Sequence, residues 1–251
     1  MTKKNDDELA LLLEKLRWLK LPGMARVAQE VLALAAKKNL TPMEVAHHLC
    51  DEEKKSRIEG AIKRRLQEAR FPEVNTVDAF NFDFDPGRKK LKSRYLALHD
   101  LAFLGRGTNP LFIGHPGTGK TFLARALAYR ACQATRRVLF TSAPKMLNEL
   151  AGAEIHGALE RVIRRYVKAE LLVIDDFAVL AMDQTQAKLA LQVISERYEY
   201  RRSTAITTNR AFKDWPKVFP DALNAEVIAK RLTERCEHFV FDGKGYCPEV
   251  S

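Results

Sequence analysis

Cysteine is scarce and scattered. The four in the chain, Cys50, Cys132, Cys236 and Cys247, form no C-x-x-C pair. That spacing argues against a disulfide framework or a zinc site and for reduced thiols in the cytoplasm. His47, His48 and Cys50 lie close together, but on a helical stretch with no further ligands. No apolar run is long enough to cross a bilayer, and the opening MTKKNDDELA has no apolar signal core, so a cytoplasmic protein with no membrane partner is expected. Acidic residues are outnumbered, 32 against 42 Lys and Arg, for a net charge of +10. This balance favours a polyanionic partner, nucleic acid first, although ordinary basic solubility would produce it too. What is not lacking is apolar material. Hydrophobic residues make up 46% of 251, enough for one large domain or a modest one with a smaller companion.

Residues 8–70 read as helical. Leu9, Leu12, Leu13, Leu16 and Leu19 recur at helical spacing up to Pro22-Gly23, and a second helix starts at Met24. Thr41-Pro42-Met43-Glu44 supplies the start of a third, with Thr as cap, Pro at the first position and Glu three residues beyond the cap. Ile58, Ile62, Leu66 and Ala69 share one face of it, and Phe71-Pro72 ends it. These helices are too few and short for a solenoid array. A small helical domain over residues 1–72, a linker over 73–92 and a second domain over 93–251 are expected. The linker carries Phe80-Asn81-Phe82-Asp83-Phe84, which either packs back on the next domain or borders a nucleotide base.

From Lys92 on, helical stretches alternate with short apolar runs: Leu111–Gly114, Arg137–Thr141, Leu171–Asp175, Thr204–Thr208 and His238–Phe241. The alternation predicts an α/β fold, a mainly parallel sheet with helices on both faces, whose ligands bind at the carboxyl ends of the strands. Gly114, Asp175 and Asn209 fall there.

The segment Gly114-His115-Pro116-Gly117-Thr118-Gly119-Lys120-Thr121 meets the pattern G-x-x-x-x-G-K-[ST] in full. Glycines let the loop curl so that backbone N–H groups face phosphate oxygens, and the following helix adds the positive end of its dipole. Lys120 is expected on the β- and γ-phosphates, and the Thr121 hydroxyl on Mg²⁺. Leu171-Leu172-Val173-Ile174-Asp175-Asp176 is a buried strand with two carboxylates at its tip. Asp175 would serve Mg²⁺, and Asp176 would orient and deprotonate the attacking water. Asn209 either touches the γ-phosphate or the lytic water, or is a turn residue. Arg231, with Arg235 one turn later, either reaches a neighbouring subunit's γ-phosphate or lies on a solvated face. Ile155 to Lys168 reads as a helix on which Arg161, Arg164, Arg165 and Lys168 fall at i, i+3, i+4 and i+7, with Ile163 and Val167 free to pack inward. Like charges so spaced repel, and a polyanion would relieve them. DNA phosphates are therefore the expected contact, against a merely solvated face.

The order of phosphate loop, LLVIDD strand, TTN strand and late Arg-Leu helix resembles the AAA+ ATPases. Within them the chain is similar to the IstB family, helper ATPases encoded beside insertion-sequence transposases. The resemblance covers nearly the whole chain: EARFP at the end of the helical part, FNFDF, TTNRAFKDWPKVF with Trp215 and Phe219, and the closing FDGKGY. Helicase loaders of the DnaC type are similar in the ATPase part. The resemblance implies that Gly114 to Thr121 bind ATP and that Asp175 and Asp176 serve Mg²⁺ and hydrolysis. It makes Asn209 the first sensor and Arg231 the finger in trans. It also implies a homo-oligomeric ring or spiral on double-stranded DNA, with the transposase of the same element as partner. A helicase loader is the alternative, and a kinase-like enzyme acting on a small molecule a third, for which no substrate lid is visible. His115 replaces a common proline and Phe122 a common histidine. Asp176 stands where most AAA+ proteins have Glu, one methylene longer, which suits slow, switch-like turnover.

Overall fold

The computed structural model describes residues 3–242. The last four residues of FDGKGY, and Cys247, lie outside the described residues. The chain forms two compact units, one up to Arg64 and one from Arg65.

The first unit holds α1 (Lys3–Trp18), α2 (Pro22–Lys38) and α3 (Pro42–Ala69) as far as Arg64. Pro22 does not only end the first helix. It opens the second, because proline's fixed φ and missing N–H suit a first helical position. At the start of α3 the capping box forms. The Thr41 amide donates to Glu44 Oε2 at 2.7 Å, and the Glu44 amide donates to Thr41 Oγ1 at 3.3 Å. Leu16, Ala28 and Val31 are buried here. So is Glu53, whose carboxylate on α3 accepts from the Gly23 and Met24 amides at 2.8 and 3.3 Å and so caps α2. Gly23 permits that approach: a Cβ there would lie 2.5 Å from the Glu52 carbonyl oxygen.

The second unit contains, in chain order, α4 (Pro86–Ala97), α5 (Ala102–Arg106), β1 (Asn109–Gly114), α6 (Lys120–Gln133), β2 (Val138–Ser142), α7 (Ala143–Ile155), α8 (Leu159–Lys168), β3 (Leu171–Asp175), α9 (Gln184–Glu199), β4 (Ser203–Thr208), α10 (Ala222–Thr233) and β5 (Cys236–Phe241). All strand pairs are parallel, in the order β2-β3-β4-β1-β5. Alternate strand residues feed opposite faces. Leu111, Leu172 and Ile174 join Met146, Ile163, Val193 and Ile228 on the side of α7 to α10. Phe112, Leu171 and Val173 join Leu123, Leu127 and Tyr95 on the side of α6 and α4. Both faces are covered, as a parallel sheet requires.

The strands lie where the apolar runs placed them, with ends shifted by one or two residues. β1 begins at Asn109 because that side chain ties three elements together. Its amide nitrogen donates to the Leu232 carbonyl at 3.0 Å, and its oxygen accepts from the Thr204 amide at 2.8 Å. The helix expected over Ile155 to Lys168 is divided. Gly157, at φ 65°, ends α7, and α8 starts only at Leu159. The aromatic stretch before α4 packs inward. Phe82 is buried, and Phe80 lies 4.7 Å from its ring and 5.5 Å from that of Phe122.

Candidate functional site

Strands β1, β3 and β4 end side by side. Ile113 pairs with Thr208, and Ile174 with Ile206, so Gly114, Asp175 and Asn209 emerge at neighbouring tips. The loop from Gly114 through His115, Pro116, Gly117 and Thr118 to Gly119 leads into α6 at Lys120. Gly119 has φ 97°, and a Cβ there would lie 2.4 Å from Phe80 Cε2. The aromatic segment thus braces the loop, and only glycine fits beneath it. The Thr118 hydroxyl and the Lys120 ammonium both donate to the His115 carbonyl, at 2.8 and 2.7 Å. Among the described residues the amides of Gly117, Thr118 and Gly119 have no acceptor, which is what a phosphate cradle supplies. Burial lowers the Lys120 pKa, against the attraction of Asp176 and Asp175.

The acidic strand tip is held by hydroxyls. Asp175 Oδ1 accepts from Thr121 Oγ1 at 2.7 Å and from Thr207 Oγ1 at 2.5 Å. The Asp176 amide donates to the same Thr207 oxygen at 2.9 Å, and the Phe177 amide to the Thr207 carbonyl at 2.9 Å. Thr207 is fully buried. No local pattern singles it out, because its importance lies in the β3–β4 register. Asp176 sits at φ 56°, a region that aspartate tolerates better than most residues. Its side chain reaches the surface. Partial desolvation and the neighbouring Asp175 nevertheless raise its pKa, while Lys120 and Arg125 pull it down. The W-x-x-x-F segment supports this turn from below: Trp215 and Phe219 are buried, and the Trp215 ring lies 5.2 Å from Phe177.

Thr121 and Asp175 present a hydroxyl and a carboxylate on one small patch, an oxygen set suited to a hard divalent cation. Asn209, just beyond β4, is exposed and makes no side-chain hydrogen bond among the described residues. Arg231 is not brought to this edge. It lies on α10 next to Leu232, whose carbonyl meets Asn109 at the other end of β1, and its guanidinium sits 5.7 Å from the Tyr198 ring. Five residue steps of strand separate the two ends, about 17 Å.

The four cations of α8 do share one face and line one cavity, and Ile163 and Val167 are buried on the other side. They are not all free. Arg164 pairs with Glu160 and Arg165 with Glu149. The helix end is fixed by Arg197, a fully buried arginine that no local sequence pattern marks. Its guanidinium donates to the Tyr166 and Ala169 carbonyls at 2.6 and 2.9 Å and to Thr204 Oγ1 at 2.9 Å. Burial pushes its pKa down to about 9.

Comparison with known proteins identifies the family. The model of the IstB-like ATP-binding protein family matches residues 14–248. A Pseudomonas aeruginosa protein named for the insertion sequence IS21 and for ATP binding is 34% identical over 95% of this chain and 88% of its own. One from Bacillus thuringiensis, named for IS232, is 33% identical over 92% and 91%. Among solved structures, the DnaC helicase loader matches with a TM-score of 0.60 at 21% identity, over 72% of this chain and 99% of that one. AMPPCP-bound DnaA from Aquifex aeolicus matches with 0.56 at 20%, over 70% and 52%. No helix among the described residues is long and apolar enough to cross a membrane. The chain belongs to the IstB-like ATP-binding protein family and is an AAA+ P-loop ATPase.

Proposed function

We propose that this ATPase is a nucleotide-controlled helper of DNA transposition. ATP held at the strand edge, between neighbouring copies of the chain, closes a ring or spiral around duplex DNA. The assembly then recruits and stimulates the transposase encoded by the same element. The observation that carries this reading is the kinship, over nine-tenths of the chain, with proteins named for insertion sequences. The basic face of α8 supports it.

In this mechanism the amides of the loop and Lys120 hold the phosphates, which requires Lys120 to leave the His115 carbonyl. Thr121 and Asp175 would hold Mg²⁺, which would supply charge neutralisation for the phosphates. Asp176 orients a water and takes its proton. Its pKa, raised by desolvation and by Asp175, strengthens it as a base. Asn209, exposed beside the loop, senses the γ-phosphate. Arg231 lies at the wrong end of its own sheet to serve its own site, so its charge acts on the site of the next subunit. Arg161, Arg164, Arg165 and Lys168 contact DNA phosphates, which position the duplex without reading its sequence. The helical domain, residues 1–72, joined by the segment 73–92 to the ATPase domain, residues 93–251, contacts protein or DNA.

The fold it shares with the DnaC helicase loader favours a second reading, in which the partner is a replicative helicase. A pull-down with the tagged chain and ATP decides between them. Capture of the transposase of the same element, and not of a hexameric helicase, is expected; the reverse result overturns the proposal.

A further inference from the structure

The basic helix forms one wall of an open concavity. Arg161, Arg164, Arg165 and Lys168 line a cavity of about 840 Å³. The rest of its charge comes from other elements: Arg65 and Arg70 at the carboxyl end of α3, and Arg137 just before β2. These three are anchored. The Arg137 amide donates to Glu170 Oε1 at 2.9 Å, and its carbonyl accepts from the Glu170 amide at 2.8 Å. Arg65 Nε donates to the Thr135 carbonyl at 3.1 Å. Arg70 lies 3.6 Å from Glu149, the carboxylate that also holds Arg165 and the Tyr166 hydroxyl. Arg65, Arg70, Arg164 and Arg165 are thus held through their side chains, and Arg137 through its backbone, around the cavity.

Their charge is compensated in part: Arg65, Arg70, Arg164 and Arg165 meet carboxylates, but three carboxylates face seven cations. Glu68 is the carboxylate among the lining residues, and it is engaged by Arg65 at 2.7 Å. Among the described residues, the side chains of Arg137, Arg161 and Lys168 have no carboxylate partner. A concave site lined predominantly by one sign of charge focuses its field and raises the local concentration of the opposite sign. The ligand is therefore an extended anion. Val138, Leu139 and Ala169 are the apolar lining, and they are buried. A protein partner would find no exposed apolar anchor here. Guanidinium groups, which outnumber the single lysine, fork onto phosphate oxygens.

We infer that this cavity is a phosphodiester cradle, in which one strand of duplex DNA is held by α8 together with Arg70 and Arg137. The inference rests on the reading of α8 as the DNA face and extends it from a stripe to a concave site. The cradle lies at the amino-terminal start of the edge strand β2. ATP is held at the carboxyl ends of the strands, so nucleotide and DNA occupy opposite poles of the sheet.

Salt titration of duplex-DNA affinity tests this, using the full chain with a non-hydrolysable ATP analogue. Each phosphate contact contributes about 0.9 to the slope of log affinity against log salt. Arg70→Ala with Arg137→Ala is expected to reduce that slope by about two per engaged subunit, as is Arg164→Ala with Arg165→Ala. Arg137→Lys keeps a cation and should keep the slope. Because Arg70 also meets Glu149, Arg70→Gln with Arg137→Gln is the second variant. It retains hydrogen-bonding side chains and is expected to lose the same slope. A wild-type slope in both Arg70/Arg137 variants, beside a reduced slope in the α8 variant, overturns the cradle and leaves an exposed stripe. Wild-type slopes in all of them overturn the reading of α8 as well.

Discussion

Thr207→Val removes one oxygen from the centre of the site. Valine keeps the branching and closely matches the volume, but it loses the hydroxyl that donates to Asp175 Oδ1 at 2.5 Å and accepts from the Asp176 amide at 2.9 Å. Leaving a buried donor without its acceptor costs about 1–3 kcal/mol, and a hydrogen bond to a charged group contributes about 1.5–3 kcal/mol. The two losses share one atom and do not add, so a net destabilisation of about 2 kcal/mol is the working figure. For a chain of this size that corresponds to a melting temperature lower by about 4–8 °C. Thr207→Ser retains both bonds and loses only a methyl, so it should melt closer to wild type. The functional effect should be larger than the thermal one. Asp175 would keep only the Thr121 hydroxyl, and the turn that aims Asp176 would lose its tie to β4. ATP turnover by the valine variant should therefore fall while the serine variant remains active. Thermal melts and steady-state turnover measured together provide the check. A valine variant that melts and hydrolyses ATP like wild type would refute the role given to Thr207.

Asp176→Asn should bind ATP and fail to hydrolyse it, because an amide can hold a water but not take its proton; turnover equal to wild type would remove Asp176 as the base. The same substitution has a thermal signature. The folded pKa of Asp176 is raised by desolvation and by Asp175, so its ionisation costs stability once the pH passes the unfolded value, and fully above the folded one. Without nucleotide, the variant should melt at or above wild type near neutral pH, with the difference closing in acid; a variant melting lower at neutral pH would contradict this. Arg231→Ala should bind ATP but hydrolyse it poorly. Mixed with Lys120→Ala, it should recover part of the activity, since each variant then lacks a different half of a shared site; co-assembly without recovery would show that Arg231 does not act in trans.

The sequence made the ATPase unit legible because its signals are local. Gly114 to Thr121 is a contiguous pattern, and LLVIDD announces a buried strand with acids at its tip. The five apolar runs fall on the five strands of the sheet. What stayed hidden depends on register and long-range packing. Thr207 matters because β4 lies beside β3, and Arg197 because α9 reaches under the end of α8. Phe80 braces Gly119 across a stretch that reads as a linker. The break between α7 and α8 turns on Gly157, one residue in an otherwise helical pattern. The cradle was visible only by half. Spacing on one helix reveals Arg161, Arg164, Arg165 and Lys168, but no local pattern brings Arg70 and Arg137 to them.

Sedimentation on a defined DNA duplex tests the central claim, that ATP at the strand edge controls assembly on DNA. Wild-type protein with a non-hydrolysable ATP analogue should form a multi-subunit complex on the duplex, and without nucleotide it should not. Lys120→Ala should fail to form it in either condition, because the charge that grips the β- and γ-phosphates is gone. The same large complex formed by Lys120→Ala, or by wild-type protein without nucleotide, would contradict the account.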